Sequence, residues 1–445
     1  MTTATASSSA PAASTRPRVA LLHSNDSTLT REGEQLAKYL GLTLASTGFV
    51  TKASVVAVDT HGPAHAEDEI ESDTAALRAD GVVIRQQQLG KTRYEETKDL
   101  RVLTECRIWI LCLDTDSTMR SIAMLQKRFP AKDAGKNKKA AKRIILCLQS
   151  ALRELRELEK AFPQDTVLQG GACFHLTINK HGIIYLLSHG CFFLERLPAD
   201  KTHALFVLDM LEATGIQVLS RKNIQAMKWG HSMLRLFYYL NALTGQSVHD
   251  SLRDRACRLV FLELLHELTT LFHIVTTASD FATGSVDDGD QPKRSKKATW
   301  TPDCSACSYL SIHAIMILLP LPNIVFNTVV LKLLDLGLTA STTGHSTIAK
   351  DIENNRATEF ETEFKDVFAL AQRRSIPLPA LTALQQTLRS TTDAKQGVPK
   401  LQAAAMLSTG TFRSTRESRA VSRTFWIKCI VTVLATVLLI AYLRA

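Results

Sequence analysis

Short apolar runs alternate with helical stretches through the first 150 residues, and this alternation narrows the fold more than any other feature. Residues 18–23 (RVALLH), 52–59 (KASVVAVD), 81–86 (GVVIRQ), 106–114 (CRIWILCLD) and 143–149 (RIILCLQ) read as strands. Residues 30–42 (TREGEQLAKYLGL) place Leu36 and Leu40 one helical turn apart on one face. Strands that are apolar on both faces and separated by helices form a parallel sheet covered by those helices. Residues 165–197 break the pattern with short runs and Gly turns, the signature of an antiparallel extension. From Asp200 the periodicity is helical almost to residue 390, interrupted by the polar stretch 280–303 (DFATGSVDDGDQPKRSKKATWTPD), which reads as an insertion. The expected organisation is a disordered segment 1–17, a sheet domain 18–200, a helical domain 201–390 and a polar linker 391–422.

Residues 425–443 (FWIKCIVTVLATVLLIAYL) carry no charge from Cys429 to Leu443. A bilayer core of about 30 Å needs roughly 20 residues of helix. The run meets this if Lys428 snorkels to the interface and Trp426 sits in the headgroup belt. It reads as a single transmembrane tail anchor that leaves residues 1–424 facing the cytosol. A short anchor with basic flanks suits a thin membrane, so the mitochondrial outer membrane or the peroxisome is preferred to the endoplasmic reticulum.

The net charge of +10 is concentrated at 127–143, 293–297 and 413–423. The first two clusters read as solvated loops, and the third adjoins the apolar run, where bases favour anionic headgroups. No aromatic interleaving or reading motif accompanies them, so no nucleic-acid partner is expected. The nine cysteines lie mostly in apolar runs, which implies free thiols in a reducing compartment. Cys304-x-x-Cys307 lacks a second ligand pair, and His266 and His273 belong to helix packing or a solvent face, so no metal is expected.

Four stretches resemble the ketopantoate reductase family over roughly residues 18–390: 76–86 (ALRADGVVIRQ), 144–186, 228–245 (KWGHSMLRLFYYLNALTG) and 346–384. The last is the most specific, with a Ser-rich helix start, Arg-Ala-Thr-Glu and a terminal Pro-x-Pro. The resemblance implies a Rossmann-like N-terminal domain with a β extension and an all-α C-terminal domain, 6-phosphogluconate-dehydrogenase-like. It implies NADPH-dependent reduction of ketopantoate in the cleft between the domains.

Carried over residue by residue, the resemblance exposes many departures. A dinucleotide loop needs Gly-x-Gly-x-x-Gly so that the backbone can approach the pyrophosphate. Here the run after Leu22 is His23, Ser24, Asn25, Asp26, Ser27 and Thr28, without glycine. Asp59 at the end of the second strand disfavours the 2′-phosphate of NADP. The family's Lys and Gln after the strand ending in ILCL fall on Asp114 and Ser117. Its Gln-Asn-Gly turn keeps Gln149, but the Asn that orients nicotinamide and substrate falls on Ser150. The general-acid Lys and the Asn four residues later fall on His231 and Arg235. Lys228 lies three residues out of register and reads as a surface or interface lysine.

Glu359 stands at the family's substrate-binding Glu, and Ser346 and Thr347 at its Ser pair, although helix packing accounts for these residues equally well. Departures on the loop, the Asn and the Lys together favour a catalytically impaired scaffold, tether or sensor with protein partners and no bound cofactor. The alternative is an active divergent oxidoreductase using NADP or NAD, with His231 as acid, Arg235 as carboxylate clamp and Glu359 as substrate ligand. The degenerate cofactor positions are Ser24, Asn25, Ser27, Asp114 and Ser150.

Overall fold

The computed structural model describes residues 16–25, 32–47, 49–58, 77–79, 82–84, 93–129, 143–148, 156–174, 176–178, 184–186, 190–196, 205–277, 301–306, 308, 310–331, 347–356, 358–394 and 397–408. Ser27, Ser150, Ser346 and the run 425–443 lie outside them.

The apolar runs pair into an eight-stranded sheet. Its strands are β1 (Arg18–Ser24), β2 (Lys52–Val58), β5 (Arg93–Thr97), β6 (Ile108–Leu111), β7 (Ile144–Leu148), β8 (Thr166–Ala172), β11 (Cys191–Glu195) and β12 (Gln217–Arg221). The order is β12-β11-β8-β7-β6-β1-β2-β5, parallel from β8 to β5. β11 runs antiparallel to β8, and β12 parallel to β11. Two apolar layers bury the two faces: Leu21, Ile110 and Leu146 on one, Leu22, Trp109 and Ile145 on the other. That double burial is why these strands are apolar throughout. Helices α1 (Glu32–Thr47), α2 (Thr115–Arg128), α3 (Arg156–Ala161) and α4 (Leu205–Glu212) connect or cover them.

Four expectations need correction. Residues 82–84 do not join the parallel sheet. They form β4 of a second, four-stranded sheet, β4-β3-β10-β9, with β3 (Leu77–Ala79), β9 (Leu176–Ile178) and β10 (Ile184–Leu186). Within 165–197, β8 is a parallel strand of the main sheet, so the antiparallel part starts only after it. β12 interrupts the helical pattern expected after residue 200. Its residues are exposed or half-buried, as befits an edge strand, and so leave no apolar run to read. Residues 391–408 are no open linker. The helix before them continues to Ala394, and Ala403–Ser408 is a further helix with Met406 in the core.

The helical domain is built on α5 (Ile224–Thr244), capped by Asn223 at its start and ended by Gly245 in the left-handed region at φ 65°. α6 (Val248–Arg253), α7 (Arg255–Thr277), α8 (Ile312–Leu318), α9 (Asn323–Val325), α10 (Thr347–Glu353), α11 (Phe360–Arg373), α12 (Pro379–Ala394) and α13 (Ala403–Ser408) follow. α5 and α7 form its buried centre through Trp229, Leu236, Leu264, Leu268 and Phe272. Among the described residues no helix is long and apolar enough to cross a membrane.

Candidate functional site

The chain leaves β1 through α1 toward β2, whereas β6 lies on the other side of β1. This is the switch point of an open α/β sheet, where a crevice opens outside the strand ends, flanked by the N-termini of α1 and α2. β1 ends at His23 and Ser24, and the Asn25 amide donates to the Val58 carbonyl at 3.0 Å, prolonging the ladder with β2. The buried His23 ring has its pKa lowered, chiefly by desolvation.

The first turn of α1 holds Glu32 and Gly33. A Cβ on Gly33 would overlap the carbonyl oxygen of Cys112 at the end of β6, so only glycine lets this helix pack so close. That is the task of the third glycine in a dinucleotide loop. Sequence reading missed it because it searched only the residues directly after β1. The signal was there as Thr28-x-Thr30-x-x-Gly33, in which threonines replace the first two glycines.

At the start of α2, the Asp114 side chain accepts from the Ser117 amide at 2.9 Å and from the Ser117 hydroxyl. The two positions where the family carries Lys and Gln therefore form a helix cap.

One face of α5 lies against this crevice. Lys228, His231, Ser232, Arg235 and Tyr239 recur at three- and four-residue steps and are all buried. Lys228 is no surface residue. It is fully buried, and its ammonium donates to Gln169 Oε1 on β8 at 3.5 Å. Burial raises the neighbouring Cys147 thiol to about 12, against the pull of the Lys228 charge. The His231 ring stacks edge-on against Phe193 of β11 at 5.8 Å between centroids.

Arg235 crosses between the domains. Its guanidinium lies 3.0 Å from Glu32 of α1, 3.1 Å from Glu363 of α11 and 3.6 Å from Glu359 at the start of α11. Tyr239 donates to Glu363 at 2.8 Å. One buried cation thus faces three carboxyl groups, of which Glu363 is buried and Glu32 and Glu359 are half-buried. Burial, the Glu32 charge and the more distant Asp114 hold the Glu359 carboxyl well above the ordinary range, despite Arg235. Glu363 is raised by burial, again against Arg235. Burial opposes the charge on Arg235, but Glu32 and Glu363 outweigh it and its pKa rises further. On the rim, Lys365 of α11 reaches Asp116 of α2 at 3.3 Å.

The structure therefore brings together His231, Arg235, Glu359 and Asp114, and adds Glu32, Glu363, Tyr239 and Lys228, which sequence reading did not select for the site. Thr347 opens α10. Cys304 is buried, with its thiol 3.8 Å from the Gly230 carbonyl, and Cys307 lies outside the described residues. Among the described residues no group of His, Cys, Asp and Glu could hold a metal ion.

Residues 223–392 match the family model for the C-terminal part of ketopantoate reductase PanE/ApbA. This likeness covers the helical domain, well under half of the chain. A PanE/ApbA family ketopantoate reductase from Ralstonia eutropha JMP134 is similar at a TM-score of 0.55 and 15% identity, over 85% of this chain and 99% of that one. A D-mandelate dehydrogenase solved with NADH and anilino(oxo)acetate gives 0.55 and 13%, over 85% and 99%. A 2-dehydropantoate 2-reductase from Geobacter metallireducens GS-15 gives 0.52 and 14%, over 84% and 99%. At these identities the likeness is one of fold. No curated protein matches the sequence.

A dinucleotide, which the resemblance implies at the switch point, would meet a carboxylate and an ion pair in the described part of the crevice, while residues 26–31 of its loop lie outside the described residues. A phosphate at a helix N-terminus needs bare amides and a favourable dipole. Here Glu32 brings a carboxylate to that turn, and its 3.0 Å bridge to Arg235 spans the crevice from α1 to α5.

Proposed function

We propose that this chain is a ketopantoate-reductase-like protein that has given up dinucleotide chemistry and acts as a scaffold, tether or sensor. In this reading residues 425–443 hold it on the cytosolic face of an organelle, with the mitochondrial outer membrane or the peroxisome preferred. The observation that carries the loss of chemistry is the bridge from Arg235 to Glu32. In this reading the protein's own ion pair takes the place of a cofactor between the domains, and the Asn that the resemblance implies, a neutral residue, has become the cation that makes it. The Asp114–Ser117 cap supports the same reading, since it removes the family's Lys from the crevice.

The test is a titration of the purified full-length chain in detergent with NADPH and with NADH, followed by nucleotide fluorescence. Ordinary enzymes of this type work at cofactor and substrate levels between about 1 μM and 1 mM. No saturable binding is expected across that range, and micromolar binding of either nucleotide overturns the proposal.

A second reading is an active divergent NAD(P)H-dependent reductase of the 2-dehydropantoate 2-reductase type. Lys228 is what favours it: a buried amine lies one turn before His231, beside Cys147 and Gln169 at the sheet's end. It would need the Arg235–Glu32 bridge to part. In that case Lys228→Gln abolishes 2-oxo-acid-dependent oxidation of the nucleotide while nucleotide binding persists.

A further inference from the structure

Three of the large apolar side chains that stand exposed among the described residues fall within 317–325: Ile317, Ile324 and Val325, with Ile324 80% exposed. Residues 314–331 (AIMILLPLPNIVFNTVVL) contain no charged residue. The turn between α8 and α9, which these side chains flank, is held firmly. Arg258, fully buried at the start of α7, donates to the Leu319 and Leu321 carbonyls at 2.9 and 2.8 Å and to Asn323 Oδ1 at 2.9 Å. Its other donor reaches the carbonyls of Leu252 and Arg253, and its plane lies 4.1 Å from the Phe326 ring centroid. Below the turn, Leu321, Phe326, Val330 and Leu331 form a small core of their own. A firmly held turn that points isoleucine at solvent invites a partner that takes apolar side chains without a shaped pocket.

The course of the chain says which partner. The Leu401 amide donates to the Leu243 carbonyl at 2.9 Å, which places residue 401 at the C-terminal end of α5. α13 then runs six residues along α7, about 9 Å. The last described residue, Ser408, therefore lies one short helix from the corner of α5, α6 and α7, where Arg258 holds the turn. Sixteen further residues, 409–424, span at most about 55 Å before the apolar run 425–443.

We propose that the 317–325 turn is a membrane-contacting tip, seated in the interfacial layer of the bilayer that holds residues 425–443. The inference rests on the membrane reading given above. A second copy of the chain fits less well, because three side chains fall far short of the roughly 800 Å² per partner of a stable interface. The described corner charges, Arg253, Arg255 and Lys400 against Asp250 and Asp254, leave a single positive excess, so the tip acts chiefly through apolar burial rather than attraction to anionic lipid.

The test places the full-length chain in nanodiscs with an environment-sensitive fluorophore at Ile324→Cys, or at Ile274→Cys on α7 as control, after subtracting the labelled parent. Doxyl-labelled lipids are expected to quench the probe at 324 at least about twofold more than at 274, as befits burial in the headgroup boundary. Quenching of Trp426, read as the difference from Trp426→Phe, reports the anchor separately. If Trp426 is quenched and position 324 is not, the tip is overturned and the anchor stands. If neither is quenched, both fail. A blue shift at 324 that lipid does not quench and dilution reverses assigns the surface to a second copy and also overturns the tip.

Discussion

Arg235 sits among three carboxyl groups with little water to take its place. Removing one partner of a buried ion pair leaves the others uncompensated and costs about 3–5 kcal/mol. Arg235→Ala is therefore expected to lower unfolding free energy by that order in urea denaturation, and Glu359→Gln with Glu363→Gln to restore part of it. A loss below about 1 kcal/mol, the scale of an exposed pair, contradicts the caged geometry. Glu359 gives the same cluster a pH signature. Its folded pKa is raised, so above about 4.5 the folded chain keeps a proton that the unfolded chain releases, and stability falls as pH rises toward the folded value. Glu359→Gln mimics the protonated acid. Its Tm relative to the parent should climb between pH 5 and pH 8, and a constant difference contradicts the assignment. His231, Arg235 and Glu359 were singled out by the family resemblance, whose helix and Arg-Ala-Thr-Glu motif are each local in the chain. Glu32 and Glu363 were not, since each acquires its meaning from a partner distant in the chain. Of the two readings of Lys228, surface or interface, only the second is compatible with its burial between the domains, because spacing tells which face a residue takes but not what covers that face.

Among the elements, the contact between α1 and the end of β6 decides how deep the crevice is. Gly33→Ala forces a methyl into the Cys112 carbonyl and should cost about 1–3 kcal/mol through displacement of the helix. Unchanged stability would mean that α1 sits further out. The parallel strands β1, β2, β6 and β7 were read from sequence because burial on both faces writes itself as continuous apolar runs. β5 (RYEET) and β12 (QVLSR) escaped because edge strands keep polar residues and shed that signal. α13 escaped for a different reason. Its small residues, Ala403 to Ala405, carry little hydrophobicity, and its place depends on the groove that α7 offers.

For the molecule as a whole, the sheet domain followed by a helical second half is legible in the amino-acid pattern. The closure of the cleft could not, because it depends on an ion pair between residues 32 and 235. Deletion of residues 425–445 should release the chain from the membrane pellet into the high-salt supernatant with its thermal unfolding unchanged. A variant that still pellets removes the anchor from the account. The docking of α13 has a mechanical consequence. Tension applied at the C-terminal end enters the body through residues 398–408, which clasp the C-terminal end of α5 and lie along α7. The load reaches the helical core first, and the sheet domain feels it through the side chains that α5 sets against it, Lys228 on Gln169, His231 on Phe193 and Arg235 on Glu32. Under such tension α13 should peel before either domain opens, which would make it a fuse that protects the closed cleft.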